Sequence, residues 1–398
     1  MIIAHRIALV PNNVQTTYLS RAAGTARFAY NWALAQWKRQ YKAWKLDNTQ
    51  PKPTQQSLRK QLNAIKREQL PWMLEVTKNA PQMAIIQLGQ AFQNFFAKRA
   101  RHPQFRRKGV HDRFSLTNDQ FAVDGKHIRI PNLGWVRMRE LVRFTGKILS
   151  ATISRVADRW YVSIAVETPD NSHLPKAENQ GTVGVDLGVS ALATLSTGET
   201  IEGPKPHKIL LGRIRRLSRN LSRKQKGSKN RNKAKLKLSR LHAKVACIRS
   251  DSLHQLTTDL TRRFHTIVIE DLNVEGMVKN RRLARSIADM GFFECRRQLD
   301  YKANMRGGQI IVADRWFASS KTCSDCGHKL DVLPLSVRQW TCPACGAAHD
   351  RDVNAAINLK NLAVSSTVSA CGEEGAGLNR KIQVKPASVK QEVSSRCV

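Results

Sequence analysis

Cys323-Ser-Asp-Cys326 and Cys342-Pro-Ala-Cys345 run almost directly into His349-Asp350-Arg351-Asp352-Val353-Asn354-Ala355-Ala356, and this stretch is the most informative of the chain. Each cysteine pair encloses two residues, and about fifteen residues separate the pairs, which is the spacing of a four-thiolate zinc site. A tetrahedral Zn²⁺ draws its ligands from two short knuckles. The glycine after each pair, Gly327 and Gly346, lets the chain turn back over the metal. One structural Zn²⁺ on Cys323, Cys326, Cys342 and Cys345 is therefore expected. The alternative is disulfide pairing. The opening residues carry no secretory pattern, so a reducing compartment is expected, and there metal binding prevails over disulfides. A metal finger just ahead of an Asp-rich helix start reads as an insert within an enzyme domain. The other cysteines, Cys247, Cys295, Cys371 and Cys397, show no pairing pattern and read as core or incidental thiols.

Working outward, the whole chain is strongly cationic. Lys and Arg number 67 against 30 Asp and Glu, a formal charge of +37 on 398 residues. The common physical use of such an excess is to neutralise a polyphosphate, so nucleic acid is the expected partner. Apolar residues make up 41%, enough for real cores, and the length suits two or three compact units. No apolar run approaches a membrane span, and the basic residues are spread along the chain instead of lining one amphipathic helix. No membrane partner is expected.

The N-terminal part begins with an alternating strand over residues 2–9. A helical pattern follows over 21–44, with Ala26, Ala33, Leu34, Trp37, Tyr41 and Trp44 near one face. Pro51 and Pro53 break it. A second helix carries Leu58, Leu62 and Ile65, and a third starts at Pro81 with the stripe Ala84, Leu88, Ala91, Phe92, Phe95 and Phe96. Beyond the basic linker 102–109, short alternating runs at 113–117, 120–123, 127–130, 136–138, 149–156 and 160–166 are punctuated by Gly125, Gly134, Gly146 and Asp158. These predict a small β-barrel, completed by the first strand and carrying the helical bundle as an insertion.

A third unit begins near Gly181. A strand meander over 183–202 leads into a basic helical stretch from about 209 to 263, broken at 227–230. Ile214, Leu217 and Leu221, then Leu238, Leu241, Val245 and Ile248, keep helical spacing, so this reads as a hairpin with one packed and one cationic face. A charge run is usually a solvated surface. This one is nearly all of one sign, which favours phosphate contact, with Arg215, Arg216, Lys224, Lys233 and Lys235 as candidates. A buried strand over 266–270, a basic loop over 278–285, a helix over 292–305 and a strand over 308–313 complete the run to the cysteines. A helix from 352 to 362 follows them.

Three carboxylates stand out within this unit. Asp186 lies in the strand Val183-Gly-Val-Asp-Leu-Gly188, Glu270 ends the strand Thr266-Ile-Val-Ile-Glu270, and Asp352 opens the last helix. Carboxylates on strands of Val and Ile are costly to bury unless a cation is shared. Mg²⁺ prefers carboxylate oxygen, and a pair of such ions can clamp both oxygens of a phosphodiester displacement. Any one of these acids alone reads as a turn former or helix cap. Their order is more informative: Asp on a first strand, meander, helices, Glu on a later strand, Asp on a late helix is a ribonuclease-H-like layout. Asp271 and Asp350 compete with their neighbours. Residues two apart on a helix do not share a face, so Asp350 and Asp352 cannot be equivalent.

At these residues the sequence resembles the TnpB (OrfB) proteins of insertion-sequence transposons, RNA-guided nucleases related to type V CRISPR effectors. The likeness rests on Gly184-Val-Asp-Leu-Gly188, Ile267-Val-Ile-Glu-Asp-Leu272, both cysteine knuckles and His349-Asp-Arg-Asp-Val-Asn-Ala-Ala356. In the N-terminal half it rests on Arg27-Phe-Ala-Tyr-Asn-Trp-Ala-Leu34 and Pro103-Gln-Phe-Arg-Arg-Lys108. The resemblance implies catalytic, Mg²⁺-binding roles for Asp186, Glu270 and Asp352, with two Mg²⁺ ions. It implies a multidomain α/β protein: a RuvC-type, ribonuclease-H-like nuclease domain at 179–316 and 348–364, split by a zinc finger at 317–347. The barrel at 1–20 and 111–178, with the bundle at 21–110, would hold guide RNA and recognise a short motif beside the double-stranded target DNA. The tail, 365–398, reads as disordered. A cytoplasmic, nucleoid-associated protein of a prokaryote is implied; nothing in the sequence specifies its oligomeric state.

The function expected is Mg²⁺-dependent, RNA-guided DNA cleavage. Two other readings share the same residues: a DNA- or RNA-binding regulator that does not cut, and a transposase using the same acids for strand transfer.

Overall fold

A computed structural model describes residues 1–169, 174, 177–369 and 392–393, the side chains of 365–369 and 392–393 excepted. The chain divides into two compact units, one from Met1 to Asp170, joined by the Glu392–Val393 pair, and one from Asn171 onward.

The first unit opens with β1 (Ile2–Val10), whose alternating residues Ile3, Ile7 and Leu9 are buried. Asn12 and Gln15 form a reciprocal capping box that starts α1 (Asn13–Leu46) at once, eight residues before the apolar periodicity begins. Thr54 caps α2 (Gln55–Ile65) in the same way, and α3 (Asn79–Phe96) completes the bundle. The predicted aromatic stripe is core: Phe92 stacks on Trp37 with centroids 4.2 Å apart. The strands are β2 (Arg113–Thr117), β3 (Ala122–Asp124), β4 (His127–Ile130), β5 (Gly134–Met138), β6 (Lys147–Val156) and β7 (Arg159–Glu167).

These strands do not form the expected barrel. Their order is β2-β6-β7-β1-β5-β4-β3, and among the described residues β2 and β3 do not pair, so the sheet stays open. The physical reason lies in the shared core. Leu19, Ala26, Ala33, Leu88 and Phe92 of the helices pack with Ile7, Phe114, Leu116, Val136, Trp160 and Val162 of the strands. The bundle thus supplies the layer that buries the sheet's apolar face, and strand closure is not needed. Asn79 and Gln87 of α3 also donate to Thr117 and Ser115 of β2, at 2.8 and 3.1 Å.

The second unit holds β8 (Thr182–Asp186), β9 (Ala193–Leu195), β10 (Thr200–Ile201), α4 (Pro206–Ser222), α5 (Lys229–Arg263) and β11 (Thr266–Glu270). Then come α6 (Val274–Lys279), α7 (Ala284–Met290), α8 (Phe292–Arg306), β12 (Gln309–Ala313), β13 (Gln339–Thr341), β14 (Ala348–Asp350) and α9 (Arg351–Ser369). The expected loop at 278–285 is shorter than predicted, because α6 and α7 take up its two ends. Helix α4 lacks a capping side chain of its own. Buried Asp289 of α7 substitutes, accepting from the His207 and Lys208 amides at 2.9 Å each.

The sheet order is β10-β9-β8-β11-β12, with β8, β11 and β12 parallel and β9 and β10 antiparallel to their neighbours. One face carries Val183, Val185, Ile267 and Ile269 against Leu253, Leu256 and Leu260 of α5 and Leu299 of α8. The other carries Val268 against Leu359 and Ala363 of α9. Cys295 is a buried core thiol. Cys247 is disulfide-bonded, contrary to its reading as an incidental thiol. Of the tail expected to be disordered, 365–369 continue α9 and Glu392–Val393 pair with β1, while 370–391 and 394–398 lie outside the described residues.

Candidate active site and metal centre

Three acids arrive from three elements. In the parallel pairing of β8 and β11, Val185 faces Ile269, so Asp186 and Glu270 end adjacent strands on the same face. The carboxyl ends of parallel strands are where α/β sheets place their ligands. Gly184 shares that face, and α9 crosses it in direct backbone contact. A Cβ at position 184 would overlap the Ala356 carbonyl oxygen and lie 2.6 Å from the Lys360 amide nitrogen. Asp186 is two residues on from Gly184 along the strand, and Asp352 is one helical turn before Ala356. The contact therefore sets Asp352 over Asp186.

The electrostatics agree with this proximity. Burial, then the charges of Glu270 and Asp352, push the Asp186 carboxyl up to about 7, against the opposing pull of Arg351 and Arg338. Glu270 and Asp352 are near enough to act on the charge of Asp186, although among the described residues only the four cysteines have ligand atoms all within 4.8 Å of one another. Carboxylate oxygen is the donor a hard divalent cation prefers. Glu270 accepts a hydrogen bond from Ser319 Oγ. Asp352 is paired with Arg338, whose Nη1 donates to both carboxylate oxygens at 3.0 and 3.2 Å while Nη2 reaches Ser190 Oγ at 3.2 Å.

The two competing acids are engaged elsewhere. Asp350 Oδ1 accepts from the amides of Asp352 and Val353, both at 3.0 Å, so Asp350 caps α9 and turns its carboxylate to the helix end. Asp271 is clasped by Arg296 and Arg315 at 2.8 and 2.6 Å, and bonds to these guanidinium groups hold its carboxyl below the usual range.

The four cysteines form one cluster, with all Sγ atoms within 4.8 Å of one another. Cys323–Cys345 and Cys326–Cys342 are 3.7 and 3.6 Å apart. A tetrahedral metal with bonds of about 2.3 Å to sulfur needs edges of about 3.8 Å, so the cluster fits one such ion. Both knuckles are the same turn: Gly327 N donates to Cys323 O, and Gly346 N to Cys342 O, each at 2.9 Å. Gly327 and Gly346 take left-handed φ values of 77° and 74°. His349 Nε2 also lies 3.0 Å from Cys323 Sγ, a contact with no spacing signal in the sequence.

On the α4–α5 hairpin, Ile214, Leu241 and Val245 form a small core of their own. Arg215, Arg216, Lys233 and Lys235 are exposed, and Lys224 is half-buried. Arg231 is used structurally, donating to the Leu221 and Lys224 carbonyls at 2.9 and 2.8 Å.

The sequence reading gave no role to Ser319, Arg338, Asn354 or Asn358. The asparagines did leave a signal: they are amides spaced i, i+4 on the buried face of α9, at 1% and 6% exposure. Ser319 and Arg338 left none.

Comparison with known proteins now gives the site its setting. Residues 162–281 match the IS605 OrfB family, described as "probable transposase", and residues 292–359 match the Cas12f1-like TNB domain. Residues 1–45 match a helix-turn-helix family, although here they form one strand and one unbroken helix. A solved structure titled as a Cas12f1–sgRNA–target DNA complex superposes with a TM-score of 0.55 at 14% identity, covering 88% of this chain and 83% of that one. That likeness is one of fold alone, a Cas12-like α/β fold. A Streptomyces pristinaespiralis protein is 38% identical over 98% of this chain and 96% of its own length. InsQ of Escherichia coli K12 is 35% identical over 93% and 94%. Both are named for RNA-guided DNA endonuclease activity. The chain belongs to the OrfB (TnpB) family of IS605-type transposons.

Proposed function

We propose that this protein is an RNA-guided DNA endonuclease encoded by a transposon, which cuts double-stranded target DNA beside a short recognised motif. The observation that carries the reading is the approach of Asp186, Glu270 and Asp352 at one face of the sheet, seated by the Gly184–Ala356 contact, where burial and then the charges of Glu270 and Asp352 lift the Asp186 carboxyl to about 7. The same reading makes the second unit a ribonuclease-H-like, RuvC-type nuclease divided by the cysteine finger, and it rests on the strand order and the chain order of the acids.

Asp186, Glu270 and Asp352 would hold Mg²⁺. Bound there, the metal would neutralise charge on the scissile phosphate and lower the pKa of an attacking water. The protein's own groups prepare that site. Ser319 holds one oxygen of Glu270. Arg338 neutralises Asp352. Near neutral pH Asp186 carries a proton part of the time, and a cation must displace it. Cys323, Cys326, Cys342 and Cys345 would hold one structural Zn²⁺. The cationic face of α4 and α5 would meet guide RNA or the RNA–DNA duplex through phosphates, and the first unit would take the guide and read the adjacent motif. We place this activity in the prokaryotic cytoplasm.

The test is Mg²⁺-dependent cutting of a supercoiled plasmid by the protein with its co-purified RNA, the plasmid's target being chosen by sequencing that RNA. Matched-target cleavage that Asp186→Ala abolishes is the expected result. Guide-dependent binding without cutting would make the protein a regulator, and joining of strands without hydrolysis would make it a transposase.

A further inference from the structure

We infer that Ser319 is a positioning residue for Glu270, and that Asn354 and Asn358 of α9 tie its placement to the first cysteine knuckle; the inference rests on the nuclease reading above. Ser319 is 4% exposed and lies between β12 and that knuckle. Among the described residues it is the one side chain that hydrogen-bonds the Glu270 carboxylate, and it takes Oε1. A carboxylate with one oxygen engaged cannot rotate freely, so the range of directions open to the other oxygen is narrowed.

What holds Ser319 is the helix that carries Asp352. Asn358 Nδ2 donates to the Ser319 carbonyl at 2.8 Å and to the Thr322 carbonyl at 2.6 Å. Asn354 Nδ2 reaches the same two carbonyls at 3.4 and 2.8 Å, and its Oδ1 accepts from the Ser324 amide at 2.9 Å. Cys323 thus sits between two residues whose backbones are fastened to α9. One turn, 319–324, presents Ser319 to Glu270 at one end and Cys323 to the thiolate cluster at the other.

The contacts close a ring. Asp186 and Glu270 are joined by the pairing of β8 and β11, Gly184 seats α9, and α9 returns through its two asparagines to Ser319 and Glu270. Two buried amides on a helix that also buries Ala355, Ala356, Leu359 and Ala363 carry a desolvation cost, offset only by satisfied bonds. Packing alone would be served as well by apolar residues. The amides give a fixed distance between the acid-bearing helix and the turn.

The test is Mn²⁺ binding to the full-length protein with its RNA, measured by calorimetry against an Asp186→Ala background that accounts for ions on the RNA. Thermal denaturation, target binding and single-turnover cleavage are followed in parallel. Ser319→Ala should weaken the Asp186-dependent sites about tenfold, the scale of one lost hydrogen bond to a charged group. Cleavage should slow while Tm and target binding hold. Ser319→Thr, which keeps the hydroxyl, should restore both. If Ser319→Ala does not fold, Ser319→Cys, an isosteric and weaker donor, stands in with the same expectation. Wild-type Mn²⁺ affinity in the variant overturns the inference and leaves the nuclease reading standing. A wild-type protein with no more Mn²⁺ sites than Asp186→Ala overturns both.

Discussion

Gly184 of β8 touches the backbone of Ala356 of α9 so closely that no side chain fits between them. That one contact sets the height of the last helix over the sheet, and with it the distance from Asp352 to Asp186. Gly184→Ala must push α9 outward, since the obstructing atoms are backbone and cannot rotate aside. A loss of about 3 kcal/mol is expected, together with a cleavage defect larger than the stability loss explains at temperatures where the variant is folded. Thermal denaturation beside single-turnover cleavage checks it. An unchanged Tm would mean that the helix does not rest on that glycine.

Asp350 and Asp352 should separate cleanly. Asp350→Ala removes an N-cap that serves two amides, at a cost of about 1 kcal/mol, and should retain much of the cleavage. Asp352→Ala should leave Tm nearly unchanged and abolish cutting, as should Asp186→Ala and Glu270→Ala, all with RNA and target binding retained. The reverse ranking of the neighbours would transfer the third ligand to Asp350.

Removing the finger's metal should reach beyond the finger. Metal analysis is expected to find one zinc per chain. Cys323→Ser should reduce it, loosen the turn that Asn354 and Asn358 hold, and slow cleavage while guide RNA stays bound. Freshly purified protein without zinc would end this assignment.

The basic hairpin should betray its role in salt. Replacing Arg215, Arg216, Lys233 and Lys235 together by Ala should weaken RNA and duplex binding regardless of sequence. The slope of log K against log salt should flatten by up to about 0.9 per lost phosphate contact. Arg231→Ala should instead destabilise the hairpin, because its guanidinium closes the end of α4. An unaltered slope in the quadruple variant would leave this face to solvent.

His5 should govern acid stability. Burial in the sheet, opposed by Glu140 and assisted by Arg143, lowers its pKa to about 4. The unfolded chain binds this proton below about 6.5 and the folded chain only below about 4. Stability from this group is therefore fully present above pH 6.5. It falls by up to about 3 kcal/mol as pH drops to 4. Denaturant unfolding from pH 4 to 8 should show that limb, and His5→Asn should flatten it.

Much of the candidate site was legible in the residues alone, because its signals are local. Cysteine spacing, the glycines that follow each knuckle and the acids at strand ends are all short-range patterns. The rule that residues two apart on a helix do not share a face already separated Asp350 from Asp352. Which of them points into the cleft depended on the end of α9, where two backbone amides claim the Asp350 carboxylate. The barrel shows the same limit from the other side. Alternation in the strands announced a sheet with one buried face, but not which edges pair. Edge pairing is decided by what else covers the face, and here α1 and α3 cover it. Ser319 and Arg338 lie in segments with no periodicity, far in sequence from most of what they touch. Sequence alone determined which kinds of side chain stand at which spacings along the chain. Tertiary structure decided which atoms meet, since a hydrogen bond across forty-nine residues, as between Ser319 and Glu270, exists only once the chain has folded.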